Sequence, residues 1–172
     1  MNKKQDNVIT IGLFGTCGDS QWRARFMEKY NERGIAYFNP VVPDWKPENA
    51  EIEAEHLILD EIVLFPVTNE TLATGSLAEV GFSILQAITS NDERFVIIYI
   101  DPKVSQELWE SNPAGAKDSE RTRALIKAHL KKQTHKYPNA YVVNSLDDML
   151  NASFLLYDAM SNIKKVCSIS NR

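Results

Sequence analysis

The chain has 172 residues, 44% of them hydrophobic and 24% charged, with a formal charge of −4. That length suits one domain able to bury its apolar surface in a single core without covalent staples, and the composition excludes extended disorder. The mildly acidic balance gives no electrostatic basis for tight binding to a nucleic acid polymer, which needs a basic surface to displace counterions from phosphates.

The opening MNKKQDNV lacks the apolar core of a signal peptide, and no stretch approaches the roughly 20 apolar residues of a membrane span, so a cytoplasmic protein is expected. Cys17 and Cys167 lie far apart, and neither has the spacing of a zinc site or a disulfide framework. No metal, cofactor or membrane partner is implied.

Short β-rich runs occur at Val8 to Phe14, Ile35 to Phe38, Ile62 to Val67, Phe95 to Ile100 and Ala140 to Val143. Between and after them, helical spacing runs over Gln21 to Arg33, Glu51 to Leu59, Ser76 to Thr89, Ser119 to Lys132 and Leu146 to Ile163. Strands alternating with helices predict an α/β protein with a parallel sheet covered on both faces. Five such units suit a flavodoxin-like doubly wound sheet, whose ligands bind beyond the carboxyl ends of the strands where the strand order reverses. Pro102 to Lys117, rich in Pro, Gly, Asn and Ser, reads as a long loop, and the basic run KAHLKKQTHK from Lys127 to Lys136 as a solvated helix side. Asp60-Glu61 read as closing a helix and solvating a turn, and His56 as a surface or interface residue. The last helix carries Phe154, Leu155, Leu156 and Tyr157 in one run, more than a single buried stripe needs, which fits an interface.

Three post-strand loops carry the chemistry. In GTCGDSQWRARF, from Gly15, two glycines permit a tight turn, and the following helix points free amides at whatever lies in it; an anion site and a plain turn capped by Asp19 or Ser20 both fit. In YFNPVVPDWKPENAE, from Tyr37, three prolines stiffen the loop, Phe38 and Trp45 offer flat faces, and Asn39 and Asp44 offer hydrogen-bonding groups. That loop suits either clamping a nucleobase or covering the core. In TLATGSLAEVGFS, from Thr71, Ser76 to Glu79 fits an S-x-x-E capping box, while a carboxylate in the first turn of a helix is kept ionised by the dipole and suits a nucleophile. Gly81 costs about 1 kcal/mol relative to alanine inside a helix, which hints at a close approach.

Together these residues resemble the nucleoside 2-deoxyribosyltransferase-like superfamily, in particular a branch with GTC-x-x-S-x-WR, YFNPVV-x-DW and S-x-AEV motifs. The likeness runs from about Val8 to Leu85 and rests on Gly15, Thr16, Cys17, Ser20, Trp22 and Arg23, on Tyr37 to Val42 with Asp44 and Trp45, and on Ser76, Ala78, Glu79 and Val80. It implies that Glu79 attacks the sugar C1′ and expels the base, and that a second base or water resolves the glycosyl-enzyme. It further implies a small-molecule nucleoside or nucleotide substrate held by Gly15, Thr16, Cys17, Ser20, Trp22, Arg23, Phe38, Asn39, Pro40, Asp44, Trp45, Gly75 and Ser76, no cofactor, and a homo-oligomer. The chain departs from these transferases in having no acid in Thr71 to Gly75, where Asn69 or Glu70 is the nearest polar candidate, and in having Leu13 and Phe14 where they often carry a tyrosine. Base, sugar, phosphorylation state, and transfer against hydrolysis therefore stay open. Arg23 near the helix start fits a 5′-phosphate.

Two rival readings use the same residues. Cys17 to Arg23 satisfies C-x5-R, the phosphate loop of low-molecular-weight tyrosine phosphatases, with Asp101-Pro102 as a general acid; Asp19 inside the cradle and Ala24 after the arginine depart from that pattern. A non-catalytic nucleotide-binding or sensor module on the same fold is the other, since fold does not fix function.

Overall fold

A computed structural model describes residues 8–18, 20–44, 46–81, 94–133 and 136–170. Five strands, β1 (Thr10–Leu13), β2 (Ala36–Phe38), β3 (Ile62–Val67), β4 (Phe95–Ile100) and β5 (Ala140–Val143), form one sheet in the order β2-β1-β3-β4-β5 with every pairing parallel. The helices are α1 (Trp22–Arg33), α2 (Pro47–Leu59), α3 (residues 74–81), α4 (Gln106–Ser111), α5 (Pro113–Gln133) and α6 (Leu146–Ser170). This is the expected flavodoxin-like α/β architecture, and its order reverses between β1 and β3.

Alternation along the strands separates two cores. Ile11, Leu13, Ile62, Leu64 and Ile97 face Trp22, Phe26 and Tyr30 of α1 and Met149 and Leu150 of α6. Val63, Phe65, Val67, Val96 and Ile98 face Leu77 and Val80 of α3 and Leu130 of α5, with Leu57 of α2 packed alongside. Phe26 and Tyr30 are fully buried, each worth roughly 1.5–3 kcal/mol of transfer from water. Helices α2 and α3 thus lie on one side of the sheet, while α1 enters from the other.

Several boundaries differ from the sequence reading. The stretch Pro102 to Lys117 is no long loop: it contains α4 and the start of α5. The Ser105 hydroxyl accepts from the Leu108 amide to cap α4, and the Asn112 side chain accepts from the Gly115 amide at the head of α5. Helix α2 starts at Pro47, ahead of Glu51, because proline fits a first helical position and Asn49 accepts from the Lys46 amide. Asp60 and Glu61 do not solvate a turn: they are 3% and 8% exposed. Asp60 bonds His56 Nδ1 at 2.9 Å, and Glu61 accepts from the Thr10 amide at 2.9 Å. His56 also stacks on Phe38, with ring centroids 3.6 Å apart, so it is bound into the fold. Of the run from Phe154 to Tyr157, Leu155 is the exposed member, at 72%, while Phe154 packs edge-on against Tyr30. The extension of α6 to Ser170 also exposes Ile163, Val166 and Ile169. Asp19, Trp45, His135 and the rest of the stretch expected to be helical up to Thr89 lie outside the described residues.

Candidate functional site

The loops after β1 and β3 meet at the reversal of strand order. At Gly15 the backbone takes φ +88°, and an added Cβ would sit 2.4 Å from the Pro66 carbonyl oxygen, so only glycine fits. Thr16 joins the two loops: its amide donates to Pro66 O at 2.9 Å, its hydroxyl donates to the same oxygen at 3.2 Å, and that hydroxyl accepts from the Thr68 amide at 3.0 Å. The Trp22 indole donates to Thr16 O at 3.0 Å. Ser20 pairs with the Thr68 hydroxyl at 2.8 Å and donates to Glu70 at 3.1 Å, holding that acid at the carboxyl edge of the sheet.

Arg23 is 5% exposed, and its guanidinium donates to the carbonyls of Leu13, Thr16 and Gly15. Its Nη2 also lies 3.5 Å from Cys17 Sγ. Burial lowers its pKa, and the neighbouring Cys17 and Glu53 oppose that. A guanidinium so engaged fastens the loop from beneath and has little left for a ligand phosphate. The same geometry leaves the C-x5-R reading without its clamp.

A second buried arginine, which the sequence reading did not single out, does the same for the other loop. Arg123 of α5 is 0% exposed and donates to the carbonyls of Val67, Thr68, Thr71 and Asp101. Its place on the buried side of α5 with Ala116, Ser119 and Leu130 is a helical-spacing signal that the sequence carries. Two cations sunk behind two loops fasten their backbones, and among the described residues of those loops Cys17, Gly18 and Glu70 are open to solvent. Beside them Tyr99 donates to Asp101 at 3.3 Å.

Helix α3 begins at residue 74, so Ser76 is its third residue and not its cap, and the S-x-x-E box does not form. The start is made by Ala73, whose carbonyl accepts from the Leu77 amide at 2.9 Å and whose amide donates to Thr71 Oγ1 at 3.1 Å. Ala73 holds φ +54°, a conformation uncommon for residues other than glycine. Ser76 is buried, Gly75 is exposed, and nothing lies within 4 Å of where a Cβ would stand at Gly75 or Gly81, so the close approach expected at Gly81 is not made by described protein atoms. Glu79 stands exposed in the second turn. Its surroundings do not favour the ionised form as expected from a first-turn position: partial burial and, after it, the charge of Glu53 push its pKa up.

Glu53 is the other residue that sequence reading missed. On α2 the half-buried positions are Asn49, Glu53, His56 and Leu57, whereas Glu48, Glu51 and Glu55 are exposed. The spacing of four and eight residues is that of one helix face, so among the four acids of α2 it is Glu53 that turns inward. Burial pushes its pKa up, and Arg23 opposes the rise.

The loop after β2 is placed differently from the rest. Phe38 has His56 stacked on it and Phe14 at 5.9 Å, so its ring serves the packing under α2. Asn39 accepts from the Val41 amide of its own loop at 3.1 Å, Pro40 is buried, and Asp44 lies 3.6 Å from the Lys46 ammonium in solvent. Among the described residues no group of three or more His, Cys, Asp or Glu could hold a metal ion, and no helix is long and apolar enough to cross a membrane. Open grooves lie elsewhere: one of about 770 Å³ along β5, and one of about 470 Å³ between α3 and α5.

No family model matches the chain, and no curated protein matches it. Among solved structures it is similar to a conserved protein from Enterococcus faecalis V583, at 16% identity and a TM-score of 0.48, over 84% of this chain and 96% of that one.

Proposed function

We propose that the protein cleaves or exchanges the N-glycosidic bond of a nucleoside or nucleotide, with Glu79 as the nucleophile and a glycosyl-enzyme as the intermediate. The observation that carries this reading is the state of Glu79: it is not tied into a helix cap, and it stands exposed on the second turn of α3. A carboxylate free of structural duty beside the reversal of strand order suits attack on an anomeric carbon. The rigid loops from Gly15 and Thr68, fastened by Arg23 and Arg123, suit the holding of sugar and base with little reorganisation. With Arg23 engaged by carbonyls, a 5′-phosphate is not needed for binding, and a nucleoside is the substrate this reading favours.

The protein acts in this reading as a homo-oligomer, its contact including the exposed Leu155, Ile163, Val166 and Ile169 of α6. Light scattering on the purified chain tests that part, and a monomer at working concentration removes it. The chemical part is tested by incubating the protein with deoxynucleosides, ribonucleosides and their monophosphates, with and without a second base, and separating free from exchanged base by chromatography. Release or exchange is expected for at least one of them. Tight binding of a nucleotide without any base release would instead make the protein a binding module.

A further inference from the structure

The sheet ends on β5, which pairs only with β4 among the described residues. The Asn139 carbonyl accepts from the Val96 amide, so by the alternation of a strand Tyr141 also turns its backbone groups toward β4, while Ala140 and Val142 turn theirs outward. The Ala140 amide is met by the Tyr137 carbonyl. The Ala140 C=O and the N–H and C=O of Val142 are left along the outer edge. Nothing on the strand itself guards that edge, because its residues are Ala, Tyr, Val and Val, paired in even register with no proline or charge.

The groove of about 770 Å³ runs along this edge: its floor is β5, one wall is Lys127 and Lys131 of α5, and the other is Ala152 of α6. The strand divides its side chains between the same two walls. Val142 packs with Ile126 and Leu130 of α5, and Val143 packs with Met149 of α6. A strand laid in the groove would likewise present alternate residues to a cationic wall and to a small apolar one. Neither lysine has an ion-pair partner among the described residues. Four residues apart on a helix, they stand about 6 Å apart along its axis, and side chains two residues apart in an extended chain repeat at about 6.7 Å on one face. The two spacings match.

We propose that this groove takes an extended segment of a partner protein, added to the sheet beside β5, with acidic residues at alternate positions facing α5 and apolar residues between them facing α6. Main-chain bonds to Ala140 and Val142 would supply the attachment, and the lysine wall the selection for acids. A second copy of the chain fits less well. Its own β5 carries no acid, and a two-fold axis through two paired β5 edges would keep both α5 helices on one face, lysines against lysines. The surface shares no residue with the crevice around Gly15 and Thr68 and does not depend on the glycosyl-transfer reading.

The test uses a short fluorescent peptide in which glutamate alternates with valine, titrated into the full chain and followed by anisotropy. Saturable binding that weakens with added salt is expected. The double variant Lys127→Glu/Lys131→Glu should lose at least about tenfold in affinity and should prefer a peptide in which lysine alternates with valine. Two further peptides carry N-methyl groups on the valine amides or on the glutamate amides. Since only one set of amides can face β5, one of the two should fail to bind and the other should bind. Hydrogen exchange at the Val142 amide should slow only when the peptide is present. No saturable binding by wild type, binding indifferent to the charge reversal, any other outcome with the methylated pair, or a Val142 amide already as slow in the free protein overturns the proposal; the last, in a protein that is dimeric, would give the edge to a second copy.

Discussion

Asp60→Asn removes an ionisable group that the fold holds at 3% exposure between α2 and β3. One carboxylate oxygen bonds His56 Nδ1, and the other, Oδ2, has no hydrogen-bond partner. Burial pushes the Asp60 pKa up to about 6, against the pull of His56 in the other direction. In the unfolded chain the same group ionises near ~3.9. Between about pH 4 and pH 6 the folded protein therefore keeps a proton that the unfolded chain has released, so stability falls as pH rises through that window and stays lower above it. Two pH units at ~1.36 kcal/mol each give a loss of about 3 kcal/mol from this group. Asparagine keeps the shape and an acceptor for His56 but does not titrate. Other carboxylates contribute equally to both proteins, so the difference in unfolding free energy between variant and wild type, from urea titrations at several pH values, isolates Asp60. That difference should move in favour of Asp60→Asn by about 2 kcal/mol between pH 4 and pH 7, since the unfolded group is already half ionised at the lower end. Replacing the neutral carboxyl by an amide beside Arg94, whose Nη1 is also unpartnered, adds a packing and hydrogen-bond offset that does not change with pH in this range. A difference that stays flat from pH 4 to pH 7 would refute the reasoning.

Three further substitutions address the crevice floor. Gly15→Ala places a Cβ against the Pro66 carbonyl at a backbone angle that alanine resists, and should cost about 3 kcal/mol or more in a thermal or urea melt and displace the Cys17 loop. Arg23→Lys keeps the charge but loses the fork that serves three carbonyls, and should destabilise by about 2–4 kcal/mol; if it does not, the arginine is not a structural clamp. Ala73→Gly relieves a left-handed alanine worth about 1–2 kcal/mol and adds about 0.5–1 kcal/mol of chain entropy, so it should raise stability slightly. A fall in the melting temperature would show that φ at Ala73 is not strained.

The interior of the fold was readable from the sequence because β3 and β4 are continuous apolar runs buried on both faces, bounded by polar residues; their limits in the structure are the expected ones, as are those of β5. Helix starts were less legible. Pro47 and Pro113 look like loop residues in sequence but open α2 and α5, since a first helical position lacks a hydrogen-bond partner for its amide anyway. Ser76 looked like a cap because it precedes an acid by three residues, yet the Ala73 carbonyl starts the helix earlier. The floor of the site was hidden for a different reason. The partners of Arg23 and Arg123 are backbone carbonyls of loops, up to 56 positions away in the chain, and carbonyls leave no mark on a sequence. Glu53 was legible in principle: four residues before Leu57, it falls on the inner face, but three other acids on the same helix drew it into a charged background.

The central claim is that Glu79 becomes covalently attached to the sugar. The direct measurement is intact-mass and peptide-map analysis of protein quenched in acid during turnover of a nucleoside, run beside Glu79→Gln. The account predicts a glycosyl ester on the peptide containing Glu79 in the wild type, and neither ester nor base release in the folded variant. Undiminished base release by Glu79→Gln, or an adduct on another residue such as Cys17, would contradict it.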